Sequence, residues 1–478
     1  MSINKDASFN TFEKVGSKVF LIYGIFGIVT MLFASSIEPE NWWAILPFCL
    51  ISFGVLGYVL FATVKREPSS LVSEVAIYLI VSYLVYFIFG PLLYVWGPSE
   101  GAEFSKAWYQ INSSESVWLV GFNALGVSLA GLAYVLVTFP SIAAISHGAS
   151  RSWSKFSAIN VFWGLVFIGF IAKYLFVLPF ELGLTKSIPD SAMRQLGRLL
   201  IIAIILGNAF KTSNKGIRFA SNILTALEVF SGLLMFNKTE AILAIMAALL
   251  GQYINSKDVK KLVISIAFLL ALFVLIGPIV TFGRNELVAR GRGVAVAADL
   301  AERLEITQQF FDTNSDYRNE GQIAGSWWSR LNYLPPQQAA LDLYKSGNGG
   351  RDIYLIPFIF VPRFIYPEKP EMTVAGVDLT EKVTGHRLSS TGIGIFVDGF
   401  YNLGWVGFIL ASVSYGLALK IYAEITKPIL KNNAFAMYPL VFMGIFVGLR
   451  IDGWWLTDVA GPLVFALILL WIYRLTSK

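Results

Sequence analysis

Basic side chains gather in one polar stretch of the sequence, residues 284–402, and their type and spacing suit anion binding. The members of this basic set are Arg284, Arg290, Arg292, Arg363 and Lys369. A guanidinium group presents a planar fork of N–H donors that matches pairs of phosphate oxygens. The set therefore favours a phosphate or diphosphate ligand. The alternative is that the arginines pair with nearby acids such as Glu286 and Asp299.

Two other residues of the same stretch are candidate bases. Asp398 follows an apolar run, an environment that suits a carboxylate to accept a proton near neutral pH. Pairing of Asp398 with one of the arginines is an equal alternative. His386 is a candidate base or a donor to a diphosphate. The candidate substrate-binding residues are the basic set together with Arg387, Tyr401 and Asn402.

The composition indicates that membrane helices must position these residues. Of 478 residues, 56% are hydrophobic and only 14% are charged, and the mean hydropathy is +0.64. Soluble domains carry about 25% charged residues, so the chain is predicted to be an integral membrane protein. The net charge of +6 is attributed to cytoplasmic anchors, and no nucleic-acid partner is expected. The single cysteine, Cys49, excludes an internal disulfide and a thiolate metal cluster.

Hydrophobic runs predict about 12 transmembrane helices, because a span needs roughly 20 apolar residues. The predicted spans are 17–37, 42–64, 71–96, 117–139, 157–178, 196–210, 219–236, 239–256, 262–282, 403–424, 434–449 and 459–473. Spans one to nine thus occupy residues 1–282, a large loop occupies 283–402, and spans ten to twelve occupy 403–478. The first run lacks a small-residue cleavage site, so we expect a span there and no cleaved signal peptide.

The distribution of lysine and arginine predicts the side of the membrane on which each loop lies. With the N-terminus inside, the short inside loops hold twelve of these residues and the short outside loops hold four. Positive residues gather in cytoplasmic loops. Both termini are therefore expected in the cytoplasm, and loop 283–402 is expected outside.

Loop 283–402 is expected to be partly helical. Helices are predicted at 297–311 and at 337–345, the second directly after a pair of prolines. Residues 351–366 are apolar but short for a span and contain two prolines, so we expect a re-entrant segment. The predicted fold class is an all-α polytopic membrane protein with one large external loop.

Charged residues outside this loop supply further candidates. Arg450, Asp452 and Asp458 flank the last outside loop, close enough to the membrane rim to join the same site. Glu228 lies within the seventh span, where ionisable side chains are costly and often functional. The sequence has no nucleotide-binding phosphate loop and no His-Glu-x-x-His motif. ATP-driven chemistry and zinc proteolysis are therefore unsupported, and we expect no cofactor and no metal.

The chain resembles the Wzy-type oligosaccharide repeat-unit polymerases of bacterial surface polysaccharides. The shared plan is many spans, both termini inside, and one large external loop late in the chain. The shared motifs are PRFIYPEKP at 362–370 and STGIGIFVDGFYNLG at 390–404. Members of the family tend to have Glu at the position of Asp398 and Phe at that of Leu403, so this chain departs from the pattern by two mild changes.

The resemblance implies an enzyme of the bacterial inner membrane with a GT-C-like fold. Such enzymes transfer a growing glycan from undecaprenyl diphosphate to the next lipid-linked repeat unit on the periplasmic side, as in O-antigen biosynthesis, without nucleotide sugar or metal. The implied partners are the lipid-linked oligosaccharide, membrane lipid, a chain-length regulator and a flippase. On this hypothesis Arg284, Arg290, Arg363 and Lys369 bind the diphosphate, and Asp398 or His386 is the base or the group that positions the acceptor.

Three other functions stay open at this stage. An O-antigen ligase would use the same donor with lipid A–core as acceptor. A flippase or transporter would also be polytopic and would give Glu228 a role. A non-catalytic membrane subunit would pair the arginines with acids of a partner protein.

Overall fold

A computed structural model describes most of the chain. It covers residues 11–66, 70–97, 102–103, 106, 109–185, 191–209, 215–290, 298–312, 328–361, 366, 368, 370, 374–385 and 391–476. Across the part so described, the chain is 84% helical and forms no strand. The all-α fold class is thereby confirmed.

The helices follow one another along the chain. They are α1 Thr11–Ala34, α2 Ile45–Arg66, α3 Ala76–Trp96, α4 Ser113–Leu136, α5 Pro140–Trp153, α6 Ala158–Glu181, α7 Ser191–Gly197, α8 Leu199–Ala209, α9 Lys215–Leu234, α10 Lys238–Ser256, α11 Val259–Ala289, α12 Leu300–Asp312, α13 Leu334–Lys345, α14 Val374–Thr384, α15 Ile395–Lys431, α16 Tyr438–Leu449 and α17 Trp455–Leu475. A π-helical turn interrupts the regular winding in each of α3, α6 and α17. Such turns are often found at functional sites.

Within the described residues, eight helices are long and apolar enough to cross a membrane, namely α1, α2, α3, α4, α6, α9, α15 and α17. The sixth, eighth and eleventh predicted spans correspond to shorter apolar helices: α8, α10 and residues 435–449. The ninth predicted span, 262–282, lies inside α11. The polytopic character is confirmed, whereas the number of twelve spans and the external position of the large loop stay predictions.

The chain divides into two compact units, and each is described by itself. The first unit comprises Met1–Ser152, Trp328–Asn432 and Leu440–Lys478. The second unit comprises Trp153–Trp327 and Asn433–Pro439. The first unit contains α1 to α5 and α13 to α17, and the second contains α6 to α12.

Helix α4 is the centre of the first unit, with α1 on one side and α15 on the other. Gly27 and Gly121 bring the backbones of α1 and α4 together, because a Cβ on either would lie within 2.7 Å of the other's carbonyl oxygen. Gly416 of α15 lies equally close to the backbone of Ala130 in α4. Small residues that allow close backbone approach are typical of helix contacts in membranes.

Helix α13 is fixed to α4 by a buried pair of amides. Gln337 and Asn123 exchange two side-chain hydrogen bonds, of 2.7 and 3.2 Å, and neither residue is exposed to solvent. The helix predicted at 337–345 is confirmed, but it begins earlier, at Leu334. Its two prolines occupy the first turn, where a missing N–H leaves no intrahelical bond unmade.

Helix α15 is broken near its start. Leu403 and Gly404 have non-helical dihedrals, and Gly404 has φ +63° and ψ −146°, a conformation that favours glycine. Gly399 contacts the backbone of Gly407 across this break. Eight residues of continuous helix would separate them by about 12 Å, so residues 395–402 form a half-helix folded against the longer part. The predicted start of the tenth span, residue 403, coincides with the break.

Helix α12 of the second unit confirms the helix predicted at 297–311, and Arg303 lies on its buried side. Although it is charged, Arg303 is only 5% exposed. Its guanidinium donates to the carbonyl oxygens of Ala298, Leu234 and Glu181 at 2.9–3.2 Å. Leu234 and Glu181 are the last residues of α9 and α6, so one cation caps two helix C-termini.

We expect Arg303→Ala to lower the free energy of unfolding by about 2–4 kcal/mol, because a hydrogen bond to a charged group contributes about 1.5–3 kcal/mol and the carbonyls would lose their donor. The measurement is the thermal midpoint of the purified protein in detergent. Arg194→Ala is the matched control, since Arg194 contacts the Glu181 side chain at the surface, at 2.9 Å. Exposed pairs contribute about 0–1 kcal/mol, so equal losses in the two variants would contradict the capping role.

Candidate functional site

Three segments of the first unit meet where α15 and α17 begin and α16 ends. They are the half-helix 395–402, the connection 450–454 between α16 and α17, and the residues just before α13. The backbone N–H groups of Gly394 and Ile395 donate to the carbonyls of Asp452 and Ile451, at 3.1 and 3.0 Å. The half-helix is thereby held beside the 450–454 connection. Four carboxylates and one arginine are collected around this junction, and we call it the acidic junction: Asp352, Asp398, Arg450, Asp452 and Asp458.

Asp398 lies in the first turns of α15 with both carboxylate oxygens occupied. One oxygen accepts a hydrogen bond from Asn402 Nδ2 at 2.9 Å, and the other accepts from the backbone N–H of Trp455 at 2.7 Å. Asn402 Oδ1 in turn accepts from the backbone N–H of Asp352 at 2.8 Å. Asp398 is 4% exposed, so it connects the half-helix to the first residue of α17 from inside the protein.

Asp452 lies in the 450–454 connection with only one oxygen occupied. Oδ2 accepts a hydrogen bond from the Tyr333 hydroxyl at 2.9 Å, whereas Oδ1 is buried and has no hydrogen-bond partner among the described residues. Arg450 Nη1 is 3.9 Å from Oδ2. Burial raises the pKa of Asp452 and the nearby Asp458 raises it further, while Arg450 acts in the opposite direction. The result is a buried acid with one oxygen hydrogen-bonded and the other without a donor among the described residues.

Arg450 is oriented by Asp458 at the start of α17. Its Nε donates to Asp458 Oδ1 at 2.9 Å, and Asp458 Oδ2 accepts from the backbone N–H of Trp454, also at 2.9 Å. The Arg450 side chain is 37% exposed. This fixes the guanidinium through one nitrogen and leaves its terminal nitrogens without a hydrogen bond to any residue that the structure describes. The prediction that Arg450, Asp452 and Asp458 form part of one site with Asp398 agrees with this arrangement.

Tyr401 and Asn402 were predicted to bind substrate, and their polar groups are engaged inside the protein. Lys382 Nζ donates to the Tyr401 hydroxyl at 3.1 Å, and that hydroxyl donates to the carbonyl of Asn348 at 3.4 Å. Asn402 bridges Asp398 and Asp352 as described above. Both side chains therefore support the half-helix and its neighbouring loop.

Arg290 lies in the second unit and is paired with acids of α12. Its Nη2 donates to Glu305 and to Gln309, each at 3.1 Å, and its Nη1 is 4.0 Å from Glu302. This corresponds to the alternative in which the arginines pair with acids, although the acids are not the two expected from the sequence. Neutralisation by neighbouring carboxylates weakens the case for Arg290 as a diphosphate ligand.

The remaining candidates of the sequence lie outside the description. Arg284 is within α11, but its side chain is not among those described. The residues that are not described at all are Arg292, Arg363, Lys369, His386 and Arg387. The hypotheses that these residues bind a diphosphate or act as a base stay predictions.

A second charged cluster lies within the predicted membrane spans of the second unit. Lys173 Nζ is 2.6 Å from Glu228 and 2.7 Å from Glu240, and the Tyr174 hydroxyl donates to Glu228 at 3.0 Å. Lys173 and Tyr174 lie in the π-helical turn of α6. The sequence drew attention to Glu228 alone; the lysine within the fifth predicted span was the signal for its partner.

The chain resembles a known family in its sequence alone. The resemblance to the Wzy-type polymerases depends on the plan of the chain and on the motifs at 362–370 and 390–404, and membership of that family stays a prediction. Of the second motif, residues 391–404 are described, and they build the half-helix and the acidic junction. We found no match to the chain among protein-family models, curated proteins or solved structures.

Proposed function

We propose that the protein polymerises undecaprenyl-diphosphate-linked oligosaccharide repeat units at the periplasmic face of the bacterial inner membrane. It would transfer the growing glycan to the next lipid-linked unit, in O-antigen or other surface polysaccharide biosynthesis. The observation that carries the proposal is the acidic junction, in which an oriented and partly exposed arginine lies beside a buried carboxylate at the ends of apolar helices. A chain-length regulator and a flippase belong to the same proposal as partners.

The chemistry of this transfer needs one cation and one carboxylate in fixed positions. Departure of a lipid diphosphate develops negative charge on the leaving oxygen, and donors that are already oriented stabilise that charge. Arg450 meets this requirement, because Asp458 fixes its Nε and the rest of the guanidinium is partly exposed. Attack by a sugar hydroxyl needs a base within hydrogen-bonding reach of that hydroxyl, and the junction supplies carboxylates for it.

Reconstitution with the lipid-linked substrate tests the proposal. Purified protein in liposomes would receive undecaprenyl-diphosphate-linked repeat units, EDTA and no nucleotide sugar. We expect a ladder of longer glycans and release of undecaprenyl diphosphate. We expect Arg450→Ala to slow the ladder by about 100-fold or more, as removal of a single oriented donor does elsewhere. Arg450→Lys is expected to be intermediate, since it keeps the charge and loses the fork.

Other outcomes of this experiment would select a different function. Transfer of the glycan to added lipid A–core, without a ladder, would indicate a ligase. If folded protein that binds the lipid-linked substrate forms neither product, the enzymatic proposal is wrong. Equal activity of Arg450→Ala and the unaltered protein would remove Arg450 from the mechanism.

The cluster around Lys173 is the observation that favours a flippase or transporter as second candidate. Charged groups buried within membrane spans are found in proton relays and substrate pathways. Movement of labelled lipid-linked substrate across the liposome membrane, driven by a proton or sodium gradient and lost in Glu228→Gln, would support this candidate. The same variant is expected to keep full activity in the ladder assay if the protein is a polymerase.

A further inference from the structure

We infer that Asp452 takes the proton of the acceptor hydroxyl, and that Asp398 is a positioning residue that holds the segment carrying Asp452. This inference rests on the proposed function and names the group that recognises the acceptor. From the sequence, Asp398 or His386 was expected to be the base or the group that positions the acceptor.

The two buried carboxylates differ in how many of their oxygens are satisfied. Asp398 has a donor for each oxygen, at 2.9 and 2.7 Å. Among the described residues, Asp452 has a donor only for Oδ2, and its Oδ1 is buried without one. A buried carboxylate oxygen without a donor is energetically costly, so the arrangement calls for a donor from outside the described residues. A sugar hydroxyl is a donor of the required kind and is the group that must lose a proton.

The surroundings of Asp452 stabilise its carboxylate anion only weakly, which suits a base, because a strongly stabilised anion accepts a proton less readily. Tyr333 donates one neutral hydrogen bond to Oδ2, and Arg450 Nη1, at 3.9 Å, is beyond hydrogen-bonding distance. Among the described residues, the titratable and charged groups that face Asp452 are Arg450, Asp458, Tyr333, Tyr86 and Tyr415. Burial and Asp458 both raise the pKa of Asp452, and the closeness of Arg450 limits the rise. A carboxylate with a raised pKa is a stronger base than an ordinary aspartate.

Asp398 controls the position of Asp452 through the backbone. It fixes the N–H of Trp455, and Asp458 fixes the N–H of Trp454. The half-helix also holds the 450–454 connection from the other side, where Gly394 N–H donates to the carbonyl of Asp452. Loss of Asp398 would therefore misplace Asp452, although Asp398 itself touches no reacting atom.

The step can be written with its atoms balanced. The acceptor hydroxyl oxygen forms a bond to the anomeric carbon of the donor glycan while its proton moves to Asp452 Oδ1. The bond between the anomeric carbon and the diphosphate oxygen breaks, and its electron pair goes to the diphosphate, beside Arg450. The products are the lengthened glycan on its lipid diphosphate and free undecaprenyl diphosphate. Asp452 then loses its proton to water.

The experiment compares Asp452→Asn with the unaltered protein in the ladder assay over a range of pH. General base catalysis contributes about 10²–10⁴-fold, and we expect a rate loss of that order with unchanged binding of the lipid-linked substrate. The rate of the unaltered protein should fall as the pH drops through the raised pKa of Asp452, because the protonated acid cannot accept a proton. Asp452→Glu should keep this fall of the rate at low pH, and Asp452→Asn should lose it. Asp342→Asn, at an exposed carboxylate of α13, is the control and should change neither the rate nor its dependence on pH.

Chemical rescue keeps the inference testable if the asparagine variant folds poorly. Formate, a small carboxylate, should restore part of the activity of Asp452→Ala, because it can occupy the vacated space and accept the proton. Formate should not rescue Asp398→Ala, since a free ion cannot tether the half-helix to Trp455. Rescue of the Asp398 variant alone, or an Asp452→Asn rate within about threefold of normal, would overturn the inference. Failure of the unaltered protein to form a ladder would instead overturn the proposed function, and this inference with it.

Discussion

Exchanging the side chains of Asp398 and Asn402 is expected to restore most of the activity that Asp398→Asn alone removes. In the single variant, the amide at position 398 can still accept the N–H of Trp455, but its NH₂ group then faces the NH₂ group of Asn402. Two donors cannot bond each other, and rotation of Asn402 would give up the N–H of Asp352. A misplacement of about 1 Å at a reactive group can cost about 100-fold in rate, and we expect a loss of that order.

The double variant Asp398→Asn/Asn402→Asp rebuilds the same chain of hydrogen bonds with the charge moved by one helical turn. The new amide at 398 accepts from Trp455 and donates to the new carboxylate at 402. The second oxygen of that carboxylate accepts from the N–H of Asp352. Every connection between the half-helix, α17 and the 352 segment is kept, except the weaker bond from Asn402 Nδ2 to the carbonyl of Asp398, at 3.0 Å.

The rate of glycan-ladder formation by the three proteins separates two roles for Asp398. A positioning role predicts recovery in the double variant to within about tenfold of the unaltered rate, because the geometry returns. A catalytic role predicts no recovery, because the carboxylate has moved by about 6 Å along the helix. Full activity of the single variant would show that neither role is needed. The thermal midpoint of each protein in detergent serves as the check on folding.

The helices could be predicted from the sequence because a backbone in lipid can adopt few structures. Its N–H and C=O groups must be satisfied internally, so an apolar run of sufficient length becomes a helix. Helices α1 to α4 accordingly lie close to the first four predicted spans. The start of α15 was harder to predict, because residues 395–402 are apolar enough to continue the span and rich enough in polar side chains to belong to the loop. Several glycines occur along α15, and only the backbone at Gly404 shows which one breaks it.

The acidic junction could be predicted only in part. Arg450, Asp452 and Asp458 flank one short connection, so sequence proximity alone indicates that they share a location. The role of Asp398 depends on the fold-back of the half-helix onto α15, which brings position 398 to a backbone N–H 57 residues away. No sequence pattern encodes that contact. The lack of a donor to Asp452 Oδ1 likewise depends on packing. Asp398 and Asp452 are both aspartates, so residue type alone could not show which of them has an oxygen without a donor among the described residues.

Arg290 illustrates a different limit. Arginines suit phosphate and carboxylate equally well, because both ligands present pairs of oxygens to the same donor fork. The choice between them depends on which acids the fold brings near. Helix α12 places Glu302 and Glu305 beside Arg290, although they follow it by 12 and 15 residues in the sequence. Whether the other members of the basic set bind a diphosphate stays a prediction.

Lys173→Met is expected to lower the free energy of unfolding by about 3–5 kcal/mol, the usual effect of removing one partner of a buried ion pair. Glu228 is 1% exposed, and in this variant it would keep only the hydrogen bond from Tyr174. The buried charge left in the helix bundle would lack a cationic partner among the described residues. The thermal midpoint in detergent measures the loss. Lys260→Met, at an exposed position in the first turn of α11, is the control and is expected to melt with the unaltered protein.

The double variant Lys173→Met/Glu228→Gln decides what the cluster is for. Neutral groups of similar volume can replace a buried ion pair with little loss of stability, so the double variant is expected to melt within about 1–2 kcal/mol of the unaltered protein. If it does so and also forms the glycan ladder at the normal rate, the cluster holds α6, α9 and α10 together and has no part in the chemistry. If the double variant is stable but does not transport lipid-linked substrate across a liposome membrane, whereas the unaltered protein does, the charged cluster takes part in transport. An unchanged thermal midpoint in Lys173→Met alone would contradict both the structural role and the transport role. It would mean that the buried charge of Glu228 does not need Lys173 as a partner.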